Sequence, residues 1–149
     1  MKLQLGLLLG LGSSALANFW AFNENIHTEG VGDFAGFRFF DSENPSCDDV
    51  ARATHWTQNY DVSGGKTGVR YDGRYDGPNV FEVNTGKVHF TIYPKDGNIV
   101  DVEDHPLGTC EALADQQITY DCPDASTYKG KALFRCNTWV NAKSYLNRW

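Results

Sequence analysis

The chain has 149 residues, of which Met1 to Ala17 read as a removable leader, leaving 132 residues, a size that suits one domain and excludes a multidomain architecture. Nineteen Asp and Glu against 13 Lys and Arg give a net charge of −6, or −7 once Lys2 leaves with the leader. That balance repels polyanions on average and disfavours nucleic acid as a partner. A 13% aromatic and 41% hydrophobic share excludes a disordered chain.

At the start, Lys2 supplies a positive charge, Leu3 to Leu11 a short apolar run, and Ala15-Leu16-Ala17 the small residues of a cleavage site. This order of charge, apolar run and small residues is that of a signal peptide, so a secreted, extracellular protein beginning at Asn18 is expected. The run is too short to cross a bilayer, and no later stretch approaches the roughly 20 apolar residues of a membrane helix. No membrane association is expected. Asn44 precedes Pro45 and no other Asn has Ser or Thr two residues on, so no N-glycan is expected either.

Asn18 to Asn23 and Phe34 to Phe40 are dense in aromatic residues and suit strands that bury large side chains, with Gly30, Gly32 and Gly36 marking turns or bends. Ser46 after Pro45, followed by Asp48 and Asp49, predicts one helix from Cys47 to about Trp56, capped by Ser46 and favoured by acids at its positive end. Val50, Ala53 and Trp56 form its inward stripe, with Asp48, Asp49 and Arg52 toward water. Gly65-Lys66-Thr67 has the ending of a phosphate-binding loop, but Tyr60 stands where that loop needs its first glycine, so a Gly-rich turn is expected.

Arg70-Tyr71-Asp72-Gly73 is followed at once by Arg74-Tyr75-Asp76-Gly77, a tandem four-residue repeat ending at Pro78. Two Asp-Gly steps favour tight turns, which makes Arg70, Tyr71, Arg74 and Tyr75 candidate binding residues displayed on a loop. Beyond it, Val80 to Val83, Lys87 to Tyr93 and Ile99 to Glu103 have the composition of an antiparallel meander. A three-residue loop at Lys95-Asp96-Gly97 sets Ile92 opposite Val100 and Phe90 opposite Val102 on an apolar face. The same register sets His89 opposite Glu103, and Thr91 opposite Asp101, on a polar face.

Residues 104 to 117 carry no clear period, and Glu111 to Gln117 read as a helical turn or a loop. Cys47, Cys110, Cys122 and Cys136 make an even count, which in a secreted chain predicts two disulfides; no CxxC pair supports a zinc site. A hairpin of Ile118–Cys122 with Ala132–Cys136 sets Cys122 and Cys136 at opposite ends, which disfavours that bridge and leaves the two remaining pairings open. The fold expected from these elements is α+β or mainly β: an antiparallel sheet or compact sandwich with one short helix, disulfide-stabilised.

His89 and Glu103 are the candidate catalytic pair, since an imidazole beside a carboxylate can exchange a proton near neutral pH. Glu82 and His105 lie near in sequence, and Arg70 or Arg74 can meet a phosphate. The competing view is a surface cross-strand ion pair worth about 0.2–1 kcal/mol. Asp101, Glu103, Asp104 and His105, with Asp72 and Asp76, offer oxygen and nitrogen ligands but lack EF-hand spacing, so a solvated acidic edge and no metal are expected. No cofactor is implied.

With one helix, an antiparallel sheet and His, Glu and Arg as candidate groups, the chain resembles small secreted fungal ribonucleases. It departs from their order of His, Glu, Arg and His, because no Arg lies between Glu82 or Glu103 and His105. The leader, the acidic compact chain, four cysteines and many aromatics together resemble, by type, the small secreted cysteine-containing proteins of fungi, host-directed effectors among them. That resemblance implies a recognition protein that binds a host or competitor molecule, a protein or a glycan. A ribonuclease-like enzyme, or a ribonuclease-like scaffold without activity, is the alternative. A glycan-binding module that uses flat rings such as Tyr71, Tyr75, Tyr93 and the Trp residues is a further one.

Overall fold

The computed structural model describes residues 18–148. The leader expected over Met1 to Ala17 lies outside the described residues, as does Trp149. The described chain runs β1 (Asn18–Thr28), β2 (Gly32–Phe40), α1 (Cys47–Arg52), β3 (Gly68–Arg74), β4 (Gly77–Asn84), β5 (His89–Tyr93), β6 (Asn98–Asp101), β7 (Pro106–Ala112), β8 (Thr119–Pro123) and β9 (Ser126–Thr138), then a π-helical turn at Ala142–Leu146.

The strands form one antiparallel sheet in the order β2-β1-β9-β7-β6-β5-β4-β3, with β8 branching from β9. The 13-residue β9 is the spine: β1 pairs along it, while β8 takes its first half and β7 its second. Between the outer strands β2 and β3, Trp56 bridges to Phe37 through two backbone hydrogen bonds of 2.8 Å, and Gln58 bridges to Val69. The sheet is thereby nearly closed on itself, which covers most of the edge it would otherwise offer.

Alternation along the strands fills the enclosed side with rings. Phe19, Phe37, Phe39, Phe81, Phe90 and Phe134 are buried there, and Phe81 touches Phe37 and Phe134 at centroid distances of 5.1 and 5.3 Å. Alternation sets Phe22 on the opposite side of β1 from Phe19 and Ala21, and a bulge there makes Leu133 the extra residue of β9, buried with Phe134 in the barrel. On that opposite side Phe22, Phe40, Tyr120 and Ala132 pack under Val50 of α1, making a second apolar layer outside the barrel. The fold is thus mainly β, with two disulfides, as the composition predicts.

One disulfide lies in each layer. Cys110 and Cys136 are direct partners across β7 and β9, and Cys47 of α1 is joined to Cys122 of β8. Cys122 does not bridge to Cys136, although the hairpin differs from the expected one. Cys122 faces Tyr128, eight residues before Cys136 on β9, a gap of about 26 Å at roughly 3.3 Å per residue.

Three local expectations are corrected. The helix starts as predicted, with Ser46 and Asp49 forming a reciprocal cap, but it ends at Arg52 rather than near Trp56. Arg38 Nη1 donates to the carbonyls of Val50 and Ala53, and Thr54 N–H donates to Asn147 Oδ1 at 2.8 Å, so the last turn finds partners outside the helix. Released from the helix, Trp56 enters the gap between β2 and β3.

The second correction is the β5–β6 register. The turn spans Pro94 to Gly97, so Tyr93 pairs with Asn98, Ile92 with Ile99, Thr91 with Val100 and Phe90 with Asp101. Proline lacks an N–H and has a preset φ, which suits a turn better than the strand-closing position assumed for Pro94. The shift of one residue moves Val100 off the apolar face, leaves Val102 exposed beyond β6, and separates His89 from Glu103.

The third concerns the repeat. Residues 70–78 are a β-hairpin and not a display loop: Arg70 to Arg74 belong to β3, and Tyr75-Asp76 is the two-residue turn. Tyr71, in the strand, and Tyr75, in the turn, both pack inward on Phe37, at centroid distances of 5.6 and 5.3 Å.

Candidate functional site

On β3, β4 and β5, inward Val69, Phe81, Val83, Phe90 and Ile92 alternate with outward polar residues. Arg70 is the direct partner of Glu82, and Glu82 of Thr91, so the row crosses three strands. Arg70 Nε donates to Glu82 Oε2 at 2.6 Å, and His89, the partner of Asn84, reaches across diagonally to set Nε2 2.9 Å from Glu82 Oε1. Glu82 is thus held from both sides, with 17% of its side chain exposed against 45% for Arg70 and 21% for His89.

Partial burial pushes the Glu82 carboxyl up, but hydrogen bonds from His89 and Arg70, with their charges, outweigh it and hold the group below the usual carboxylate range. At neutral pH Glu82 is a fixed anion able to accept a proton, beside a guanidinium able to meet an anion and an imidazole able to exchange one. Glu103, the expected partner of His89, stands in the turn after β6 and approaches His105 instead, at 3.6 Å. His105 also takes Asp101 at 3.2 Å, and Asp101 accepts the backbone N–H groups of Glu103 and His105. The acidic edge is therefore a self-closed turn, and among the described residues no group of three or more His, Cys, Asp or Glu is arranged to hold a metal ion.

Of the expected binding residues, Arg70 joins Glu82, while Arg74 makes a two-pronged pair with Asp76 at 2.9 and 2.8 Å. Tyr71 and Tyr75 are not brought to the surface with them. The Tyr75 hydroxyl accepts the N–H groups of Glu24 and Gly36 and has both of their carbonyls as acceptors for its one proton, all within 2.7–3.1 Å. Burial, with the nearby Glu24 charge, keeps its phenol above the ordinary range.

A second polar cluster lies between the barrel and the outer layer. The Glu24 side chain is fully buried; Arg38 Nε donates to it at 2.6 Å, His55 Nδ1 lies at 2.8 Å, and the Tyr120 hydroxyl donates at 2.9 Å. Burial pushes the Glu24 carboxyl up, but hydrogen bonds from His55 and Arg38, the Arg38 charge and the Tyr120 bond together lower it. Tyr120 is pushed far up by burial and by the Glu24 charge. Because Arg38 also holds the end of α1, the cluster pins the outer layer to the barrel. Its sequence signal is a charged residue inside each of two facing aromatic strands, Glu24 in β1 and Arg38 in β2.

Compared with known proteins, the chain matches no family profile, no curated protein and no solved structure.

Proposed function

We propose that this chain is a secreted recognition protein of effector type, which binds a host or competitor molecule through the outer face of β3–β5. What carries the proposal is the Arg70–Glu82–His89 row: three chemically distinct groups held in fixed geometry on strands, next to a barrel whose interior is filled by aromatic rings. A filled interior leaves the surface as the place of contact. Two disulfides fit an extracellular setting, and among the described residues no helix is long and apolar enough to cross a membrane.

The test is binding of the full chain, made in an oxidising secretory host, to immobilised extracellular proteins and glycans of candidate hosts. Arg70→Ala with His89→Ala should abolish capture of a saturable partner while leaving the circular dichroism spectrum unchanged. A partner captured equally well by the double variant would overturn this face as the contact.

A second proposal uses the same row: cleavage of RNA, with Glu82 in place of Glu103 as proton acceptor, Arg70 at the phosphate and His89 as proton-transfer partner. It is favoured by the convergence of Arg, Glu and His on adjacent strands. Incubation with single-stranded and structured RNA between mildly acidic and neutral pH tests it. Cleavage lost in both Glu82→Gln and His89→Ala supports the enzyme, and no cleavage by the wild type sinks it.

A further inference from the structure

At one end of the barrel, β2, β1, β9 and β8 run on past β3 to β7 as a four-stranded ribbon, of which β1, β9 and β8 carry the residues of interest. Its registers place Asn23 beside Lys131 and Lys131 beside Thr119, then Asn25 beside Lys129 and Lys129 beside Asp121. Direct cross-strand partners share a face, so these six polar side chains form two adjacent rows of three. They line a groove of about 330 Å³. That volume lies at the small end of ligand sites, roughly 300–1,000 Å³.

The opposite face of the same ribbon is locked. Glu24 is the partner of Gly130, and Gly130 of Tyr120, whose ring lies so close that a Cβ on Gly130 would meet it at 2.2 Å. The Tyr120 hydroxyl is fixed on Glu24, and Cys122, two residues on, is bound to Cys47. The groove floor is thus preorganised, so ordering it costs a ligand little.

The charges in the groove do not cancel. Lys129 is 3.6 Å from Asp121, and Asp76 on the neighbouring β3–β4 turn is met by both prongs of Arg74. Lys131 is half-buried and acts at longer range on the Asp76 carboxyl, while among the described residues no carboxylate forms a direct ion pair with it. With Asp76 shared between Arg74 and Lys131, and Asp121 taken by Lys129, the groove keeps one positive charge in excess, placed to receive an anion. Around it stand Asn23, Asn25 and Thr119, which both donate and accept, and Asp121, which accepts. Asn23 is only 6% exposed and donates to the Tyr75 carbonyl at 3.4 Å, which anchors the groove to the β3–β4 turn.

We infer that this groove binds an acidic sugar unit, its carboxylate on Lys131 and its ring hydroxyls on the Asn, Thr and Asp side chains. Mixed donors and acceptors suit vicinal hydroxyls, each of which both donates and accepts, and a single positive charge in excess suits a single carboxylate. A polyphosphate backbone, by contrast, calls for a run of cations. The site is separate from the β3–β5 face and does not depend on the proposed function of that face.

The test is calorimetric titration of the full chain with trigalacturonate, with neutral maltotriose and triglutamate as comparison ligands. Saturable binding of trigalacturonate alone is expected, weakened about tenfold or more by Lys131→Met and retained in Lys131→Arg, since a hydrogen bond to a charged group is worth about 1.5–3 kcal/mol. Asn25→Ala, at an exposed position, should weaken it with the fold intact, so a folding defect in Lys131→Met leaves the groove testable. Arg70→Ala should leave it unchanged, which separates failure here from failure of the β3–β5 face. Absence of trigalacturonate binding overturns the inference, as does equal binding of maltotriose or triglutamate, or affinity unchanged in both Lys131→Met and Asn25→Ala.

Discussion

The hydroxyl of Tyr75 lies 3.1 Å from the backbone nitrogen of Gly36 and 2.8 Å from its carbonyl oxygen, so the tip of the β3–β4 hairpin is bonded to the β1–β2 pair. On its other side Gly36 is covered by His55: a Cβ there would meet the imidazole and the Trp56 carbonyl at 2.5 Å. Tyr75→Phe should therefore cost about 1–2 kcal/mol, the range for a lost buried hydrogen bond. Gly36→Ala should cost more, because it displaces the strand that closes the barrel. Urea midpoints at constant slope measure both, and a Gly36→Ala protein as stable as wild type would contradict the close packing.

Glu24→Gln should destabilise the fold by about 3–5 kcal/mol, since it leaves Arg38 buried without its counter-charge. The native carboxyl titrates below its ordinary value of 4.5. On acidification the unfolded chain takes up that proton first, so the contribution of Glu24 is complete above pH 4.5 and is lost as pH falls through the native value. Stability against pH should fall more gently below 4.5 in the variant than in wild type. Parallel acid branches would remove Glu24 from the account.

Removing the Cys47–Cys122 bridge should cost more than removing Cys110–Cys136. The two join residues 75 and 26 apart in sequence, and chain entropy assigns about 4.5 and 3.5 kcal/mol to loops of those lengths. Paired Cys→Ser variants compared by thermal and urea denaturation measure the difference. Peptide mapping of the oxidised protein checks the connectivity directly.

The β5–β6 register, one residue away from the expected one, can be probed at Ile99 and Val102. Ile99 is fully buried against the barrel core, so Ile99→Ala should cost about 2–5 kcal/mol. Val102, 65% exposed, should accept Asp within about 0.5 kcal/mol. Val102→Asp unfolding the protein would restore the register in which Phe90 and Val102 face each other.

Composition and local pattern were enough for the class of fold and its punctuation. Aromatic and β-branched runs bury rings by alternation, Ser46 and Asp49 cap a helix through contacts three residues apart, and four cysteines in an even count form two bridges. Each rests on composition or short-range geometry. The polar face around His89 was also legible as a face, because alternation assigns sides without assigning partners.

Only the tertiary structure decided who meets whom. A turn beginning one residue earlier, at Pro94, exchanged Glu103 for Glu82 as the partner of His89. Closure of the sheet drew Tyr71, in β3, and Tyr75, in the turn after it, inward onto Phe37 from a repeat that reads as a loop, since burial of two rings outweighs two Asp-Gly steps. Glu24, Arg38, His55 and Tyr120 come from four separate segments, and no local rule links them. Their meeting is a consequence of register summed over the barrel, where one residue of shift turns every side chain to the opposite face.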